Sequence, residues 1–217
     1  MSAELAAISA NWLEIVAVAF GLGSVWLSTR EHIASWPTAI VNVAIFFVLF
    51  WQAKLYADSV LQLLYLSLSV YGWWAWLRGG AAHSHLRVSR ASARHWLVGI
   101  PLVVAFGVGL GAILARHTDS PVPYLDAMLT SSSLLAQWMM TRKILENWIV
   151  WIVANLVYVP TFISRGLPIT AVQYAVFLIL AVMGYVSWKR SWAADQFVVG
   201  GGDGAPTLGA AGAGRPA

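Results

Sequence analysis

The sequence predicts an all-α integral membrane protein, with seven transmembrane helices arranged as two parallel three-helix repeats joined by a linker helix. Three observations predict it. Of the 217 residues, 59% are hydrophobic and 10% are charged. Soluble domains carry roughly 25% charged residues, so this chain lacks the polar side chains to cover a water-facing surface. Seven apolar stretches approach the roughly 20 residues that a membrane-crossing helix needs. The chain also repeats itself at a gap-free offset of 112. Trp26 lands on Trp138, Thr29 on Thr141, Arg30 on Arg142, Trp36 on Trp148, Phe50 on Phe162, Gly72 on Gly184, Trp76 on Trp188 and Arg78 on Arg190. Glu14 lands on Asp126, and Phe46 on Tyr158. Tryptophans, glycines and arginines rarely coincide by chance, so the chain reads as two copies of one membrane unit with a site between them.

The first span is Trp12–Ser28. Nothing before it resembles a basic n-region or a small-residue cleavage site, which makes it a retained helix rather than a signal peptide. It offers Glu14, Gly21 and Ser24. The second span, Pro37–Trp51, opens on a proline, which suits a first helical turn whose N–H groups lack partners anyway. It offers Asn42. The third, Ser59–Leu77, places Gln62, Tyr65, Ser69, Gly72 and Trp76 on one face. The Arg78–Arg94 loop follows. Its His83 and His85 have no further metal ligands nearby, so the loop reads as solvated and basic, anchored at anionic headgroups.

The fourth span, Trp96–Ala115, is rich in Gly, Val and Leu and has no repeat partner. It reads as a linker that packs but touches no ligand, with Pro101 inside it. The fifth, Leu125–Met140, spaces Asp126, Thr130, Ser133 and Gln137 at steps of four, three and four, one helical face. The sixth, Trp148–Ile163, has Asn147, Trp151 and Asn155 at steps of four and Pro160 near its end. The seventh, Thr170–Trp188, has Gln173, Phe177, Gly184 and Trp188 on one face. Beyond it the chain turns Gly- and Ala-rich and reads as a disordered tail. The expected units are residues 11–78, the first repeat; 79–122, the loop and linker helix; 123–190, the second repeat; and 191–217, the tail. Three crossings invert a chain and the fourth restores its direction, so the repeats are parallel.

Basic residues set the orientation. With the N-terminus outside, Arg30, Arg78, Arg87, Arg90, Arg94, Arg142, Lys143, Lys189, Arg190 and Arg215 fall inside, and Lys54, Arg116 and Arg165 outside. That is a strong positive-inside bias. It puts the C-terminus in the cytoplasm. The net charge of +4 comes from short loops rather than a basic stripe on one domain, so no nucleic-acid partner is expected. With no cysteine, thiolate chemistry and cysteine-ligated metals are excluded. No nucleotide-binding loop, HExxH or Ser/His/Asp grouping points to an enzyme, and no cofactor or metal is implied.

Polar side chains are costly in a bilayer and usually face a bundle interior or cavity. Ser24, Ser69, Thr130, Ser133, Gly72 and Gly184 read first as helix-packing residues. Asn147 with Trp151, one turn apart, reads as a site: an amide plus a stacking face for a flat, uncharged or weakly cationic heterocycle. Trp148, Gln62, Tyr65, Gln137, Gln173, Asn42 and Asn155 complete the candidate substrate-binding set. Gln62 and Gln173 lie near helix ends, where simple hydration would explain them as well. No acidic residue is expected at mid-membrane, which favours uncoupled diffusion over proton or sodium coupling.

The stretch Glu146–Trp188, with its Asn147-Trp148-x-x-Trp151 motif, resembles the sixth and seventh helices of the PnuC family of bacterial vitamin transporters. Residues 35–76 resemble that family's second and third helices, and the resemblance covers roughly residues 10–190. The departure is Leu145, where that family often has a tryptophan. The resemblance implies a SWEET-like three-plus-one-plus-three fold. It implies import of nicotinamide riboside across the bacterial inner membrane by facilitated diffusion, with trapping by cytoplasmic phosphorylation. Relatives carrying thiamine or riboflavin are the first alternative, and a non-transporting assembly or receptor protein is the second. Small-residue helix faces serve intramolecular packing or a homo-oligomer equally well.

Overall fold

Seven helices carry the apolar stretches: α1 Ala3–Thr29, α2 Ser35–Gln52, α3 Tyr56–Arg78, α4 Ala93–His117, α5 Pro123–Thr141, α6 Asn147–Ser164 and α7 Pro168–Gly200. This computed structural model describes residues 3–80, 86–118, 120–164, 166 and 168–200. The candidate histidine pair His83 and His85, the basic residues Arg165 and Arg215, and the 201–217 part of the tail lie outside the described residues.

Six of the seven helices are long and apolar enough to cross a membrane, and α5 is the exception. The expected seven helices are all present, though α5 is the least apolar of them. The physical reason is enclosure. α5 packs against α3, α4 and α6, and Ala127, Leu129, Ser131, Ser133, Ala136, Met139, Met140 and Thr141 are buried along it. A helix wrapped by protein need not be apolar, because its hydroxyls find partners there: Ser131 Oγ donates to the Ala127 carbonyl at 2.7 Å.

The end of α7 also differs from the sequence reading. The tail was placed from residue 191, yet helix continues to Gly200. Trp192 packs against the buried cluster, and the Arg90 guanidinium lies 5.2 Å from the centroid of its ring.

The packing partners obey the 112-residue offset. α1 packs on α2 as α5 does on α6, and α2 on α3 as α6 does on α7. The halves meet through α3 with α5 and, at the equivalent place, α7 with α1. α4 packs chiefly on α5, whose Leu135, Met128 and Tyr124 fit against Gly99, Gly107 and Gly111. Small residues let helices approach closely where lipid offers no hydrophobic drive.

One end of the bundle carries the α1–α2 and α5–α6 turns and most of the basic residues. The two turns have matching hydrogen bonds: His32 N–H to Leu27 O and Ile144 N–H to Met139 O, both at 3.0 Å. Glu31 and Lys143 occupy equivalent positions there, in the left-handed region at φ 54° and 49°. Their side chains form an ion pair at 2.8 Å.

Beneath the turns lies a cluster of four tryptophans. Trp36 meets Trp76 edge-on at 5.2 Å, Trp148 meets Trp188 edge-on at 5.5 Å, and Trp76 meets Trp188 at 5.8 Å. The Trp76 indole N–H donates to Met140 O at 3.0 Å, and that of Trp188 donates to Ser28 O at 2.8 Å. Ser28 and Met140 are themselves 112 apart, so the bonds are reciprocal between halves. Gly72 and Gly184 seat the rings of Trp36 and Trp148.

The 86–92 loop is exposed at Arg87, Ser89, Arg90 and Ser92, as expected of a solvated loop, but it is also pinned to the bundle. Val88 is buried, and Ser89 pairs in parallel with Ile144, its N–H donating to Lys143 O and its carbonyl accepting from Leu145 N–H, each at 2.9 Å. Arg90 Nε donates to Glu146 Oε1 at 2.5 Å, and that bond holds the guanidinium pKa above its ordinary value. Ala34 stands where Glu146 would be in the first half, so that half lacks the carboxylate that receives Arg90 in the second.

A methyl group added at Gly184 would lie 2.5 Å from the Trp148 ring, whereas one added at Gly109 meets nothing within 4 Å. Gly184→Ala is expected to cost about 1–3 kcal/mol by overpacking, read as a lower thermal unfolding midpoint in detergent. Gly109→Ala is expected to leave the midpoint unchanged.

Candidate functional site

Directly above the tryptophan cluster lies a cavity of about 270 Å³, at the lower end of the range for small-molecule pockets. Both halves line it and α4 contributes nothing. Trp36, Trp148, Ser28 and Met140 form its floor. Ala39, Trp151, Gln137 and Asn155 stand along its sides. Towards the opposite end it is bounded by Tyr65, Tyr158 and Tyr174. Tyr158 lies eleven residues along α6 from Asn147, roughly 16 Å at 1.5 Å per residue. Its ring sits 4.5 Å from that of Tyr174, and Phe162 stacks 4.9 Å from Tyr174. Aromatic rings thus close the cavity at both ends.

Five of the nine candidate residues come together here: Tyr65, Gln137, Trp148, Trp151 and Asn155. Asn155 is buried and its Nδ2 donates to Trp151 O at 2.8 Å, one turn back on its own helix. Tyr65 hydroxyl and Ser133 Oγ are hydrogen-bonded, tying α3 to α5 at mid-membrane. At the equivalent place between α7 and α1 stand Phe177 and Gly21, which can form no such bond.

The other four candidates lie outside the lining. Asn147 is fully buried beside it, at the start of α6, and its Nδ2 donates to Ile144 O at 2.6 Å. The structure therefore parts Asn147 from Trp151, which the sequence paired. Asn42 Nδ2 donates to Ala17 O at 2.6 Å and lies over Gly21, tying α2 to α1. Gln62 and Gln173 are half-buried away from the lining.

Among the described residues, four buried polar atoms have no hydrogen-bond partner: Ser35 Oγ, Trp36 Nε1, Asn147 Oδ1 and Trp148 Nε1. They form two pairs at the 112 offset, and three of the four residues line the cavity. An unpartnered buried polar group costs about 1–3 kcal/mol, so each of these calls for a partner, whether water or ligand.

Trp36, Ala39, Ser28, Tyr158 and Tyr174 line the cavity without having been singled out as contacts. Carrying the candidates across the offset would have found part of this group: Trp148 maps to Trp36, Trp151 to Ala39, Tyr65 to Phe177 and Gln137 to Val25, all lining residues. The candidate Gln62 likewise maps to Tyr174, whereas Tyr158 maps to Phe46, which is neither a candidate nor a lining residue, so the offset carries no signal for Tyr158.

Residues 11–190 match the protein family described as nicotinamide mononucleotide transporter. The chain is similar to the nicotinamide riboside transporter PnuC of Escherichia coli (strain K12), 27% identical over 206 residues, with 83% of this chain and 86% of that protein covered. It is also similar to the riboflavin/roseoflavin transporter RibM of Streptomyces davaonensis, 24% identical over 181 residues, with 82% and 84% covered. A crystal structure of the vitamin B3 transporter PnuC superposes with a TM-score of 0.66 at 24% identity, over 85% of this chain and 83% of that one. That likeness shows a shared seven-helix fold.

The Tyr65–Ser133 bond is open to a double-mutant cycle. Tyr65→Phe and Ser133→Ala are expected to couple by about 0.6 kcal/mol, with a ceiling near 1.7, as interhelical hydrogen bonds in membranes do. Reversible unfolding in mixed micelles measures it, and purely additive effects would show that the bond contributes nothing.

Proposed function

The chain belongs to the nicotinamide mononucleotide transporter family, and from that premise we propose that it carries nicotinamide riboside through the cavity between its repeats by facilitated diffusion. The basic end faces the cytoplasm of a bacterial cell and the N-terminus lies outside, in keeping with the positive-inside bias. Phosphorylation of the substrate inside the cell would then sustain inward flux.

The observation that carries this reading is the composition of the cavity wall. Nicotinamide riboside joins a flat pyridinium ring and its carboxamide to a ribose. Trp148 and Trp151 offer faces for a cationic ring. Gln137, Asn155 and Tyr65 offer hydrogen bonds to amide and hydroxyl groups, and the unpartnered indole N–H groups of Trp36 and Trp148 await acceptors. Asn147 then acts from behind, fixing the turn on which Trp148 sits. The lining holds no Asp, Glu, Lys, Arg or His, which suits an uncoupled carrier, since ion-coupled ones usually embed a carboxylate or histidine.

The similarity to a riboflavin transporter keeps a flavin as the second reading. A tricyclic flavin is longer than one pyridine ring, and the cavity volume favours the smaller vitamin. Thermal stability separates the two. A ligand at 100 times its Kd stabilises the folded state by about 2.7 kcal/mol. Nicotinamide riboside is expected to raise the midpoint by several degrees, and riboflavin and thiamine to leave it unchanged. Trp151→Ala is expected to remove most of that shift, and with it uptake into proteoliposomes. A shift with riboflavin alone would overturn the assignment.

A further inference from the structure

We propose that Glu31 and Lys143 form the gate contact that closes the basic end of the transport path and parts in each transport cycle. The proposal rests on the transporter reading above and adds to it two residues that take no part in the cavity.

Glu31 and Lys143 lie 112 residues apart, at the same position of the two repeats. In a two-fold arrangement, a residue meets its own equivalent only at the axis. An ion pair between these two therefore sits where the halves converge. Its side chains are 10% and 20% exposed, with Nζ and Oε2 2.8 Å apart. Both residues hold left-handed backbone at φ 54° and 49°, in the matching caps that end α1 and α5. Lys143 Nζ also lies 4.6 Å from the centroid of the Trp76 ring, in the tryptophan cluster beneath the cavity. Neither side chain hydrogen-bonds within its own turn, so the pair acts between the halves.

The chemistry suits a contact that must open. A fully buried charge pair is hard to break, because each charge is stranded when its partner leaves. This pair lies at the bundle end, where water can follow the parting helices and solvate both charges. A partly exposed pair is a weak, reversible closure. The strap from Ser89 and Arg90 holds the Lys143 turn in place.

The symmetry supplies its own test. Exchanging the residues, Glu31→Lys with Lys143→Glu, rebuilds the pair in the opposite sense, and the new lysine then faces Trp188, the equivalent of Trp76. The chain has no cysteine, so Arg78→Cys with Arg190→Cys gives one spin-label pair at equivalent, exposed positions of α3 and α7. Pulsed electron–electron distances would be recorded in liposomes, with uptake measured alongside. Glu31→Gln is expected to shift the open-to-closed ratio by about fivefold or more, since exposed pairs reach about fivefold and this one is mostly buried, and to alter uptake accordingly. The exchanged variant is expected to return both readouts to within about twofold of the parent. A distance distribution unchanged by Glu31→Gln, or an exchanged variant no closer to the parent than Glu31→Gln, would overturn the gate. If the parent carries no vitamin at all, the substrate reading fails, while the distances still decide whether the pair holds the ends closed.

Discussion

Two three-helix units gain no hydrophobic free energy by touching in a bilayer, because lipid tails are as apolar as leucine. What joins these two units at their core is a reciprocal pair of hydrogen bonds, from the Trp76 indole to Met140 O and from the Trp188 indole to Ser28 O. Each bond runs from the third helix of one unit to the end of the first helix of the other. Around them Trp36 and Trp148 pack edge-on, each seated against a glycine where a methyl group would collide. The cavity follows from this arrangement. The tryptophans plug one end of the seam between the halves, the tyrosines close the other, and the space between them is what remains.

On this symmetric frame the differences between copies carry the chemistry. Ala39 faces the cavity where the second half has Trp151, Val25 where it has Gln137, and Ser28 where it has Met140. The first half leaves room and the second supplies the large aromatic and the amides. A ligand with one flat end and one hydroxylated end needs such a lopsided site. α4 adds a further asymmetry by packing chiefly on α5, and the Tyr65–Ser133 bond ties that same helix to α3. The α3–α5 seam is thereby pinned at mid-membrane, and the α1–α7 seam is not.

The repeat, the helix order and the position of the linker were legible in the sequence, because tryptophans and glycines at a fixed offset mark packing positions in both copies. α5 was legible as one of the seven apolar stretches, and its polar face is what enclosure by protein permits. The site was half legible. Helical spacing brought Gln137, Trp151 and Asn155 to the cavity, but it cannot say whether an amide faces outward or turns back on its own backbone. Asn147 does the latter, bonding Ile144 O, and Asn42 reaches Ala17 O on the neighbouring helix. Trp36 escaped notice because it looked like scaffold. It is scaffold and cavity floor at once, as its equivalent Trp148 is.

An experimental structure of the chain with nicotinamide riboside tests the central claim most directly. Density is expected in the cavity between the repeats, with the pyridine ring against Trp151 and an acceptor within hydrogen-bond reach of the Trp36 or Trp148 indole N–H. Ligand density in the groove between α3, α4 and α5, with the inter-repeat cavity excluding it, would contradict the account.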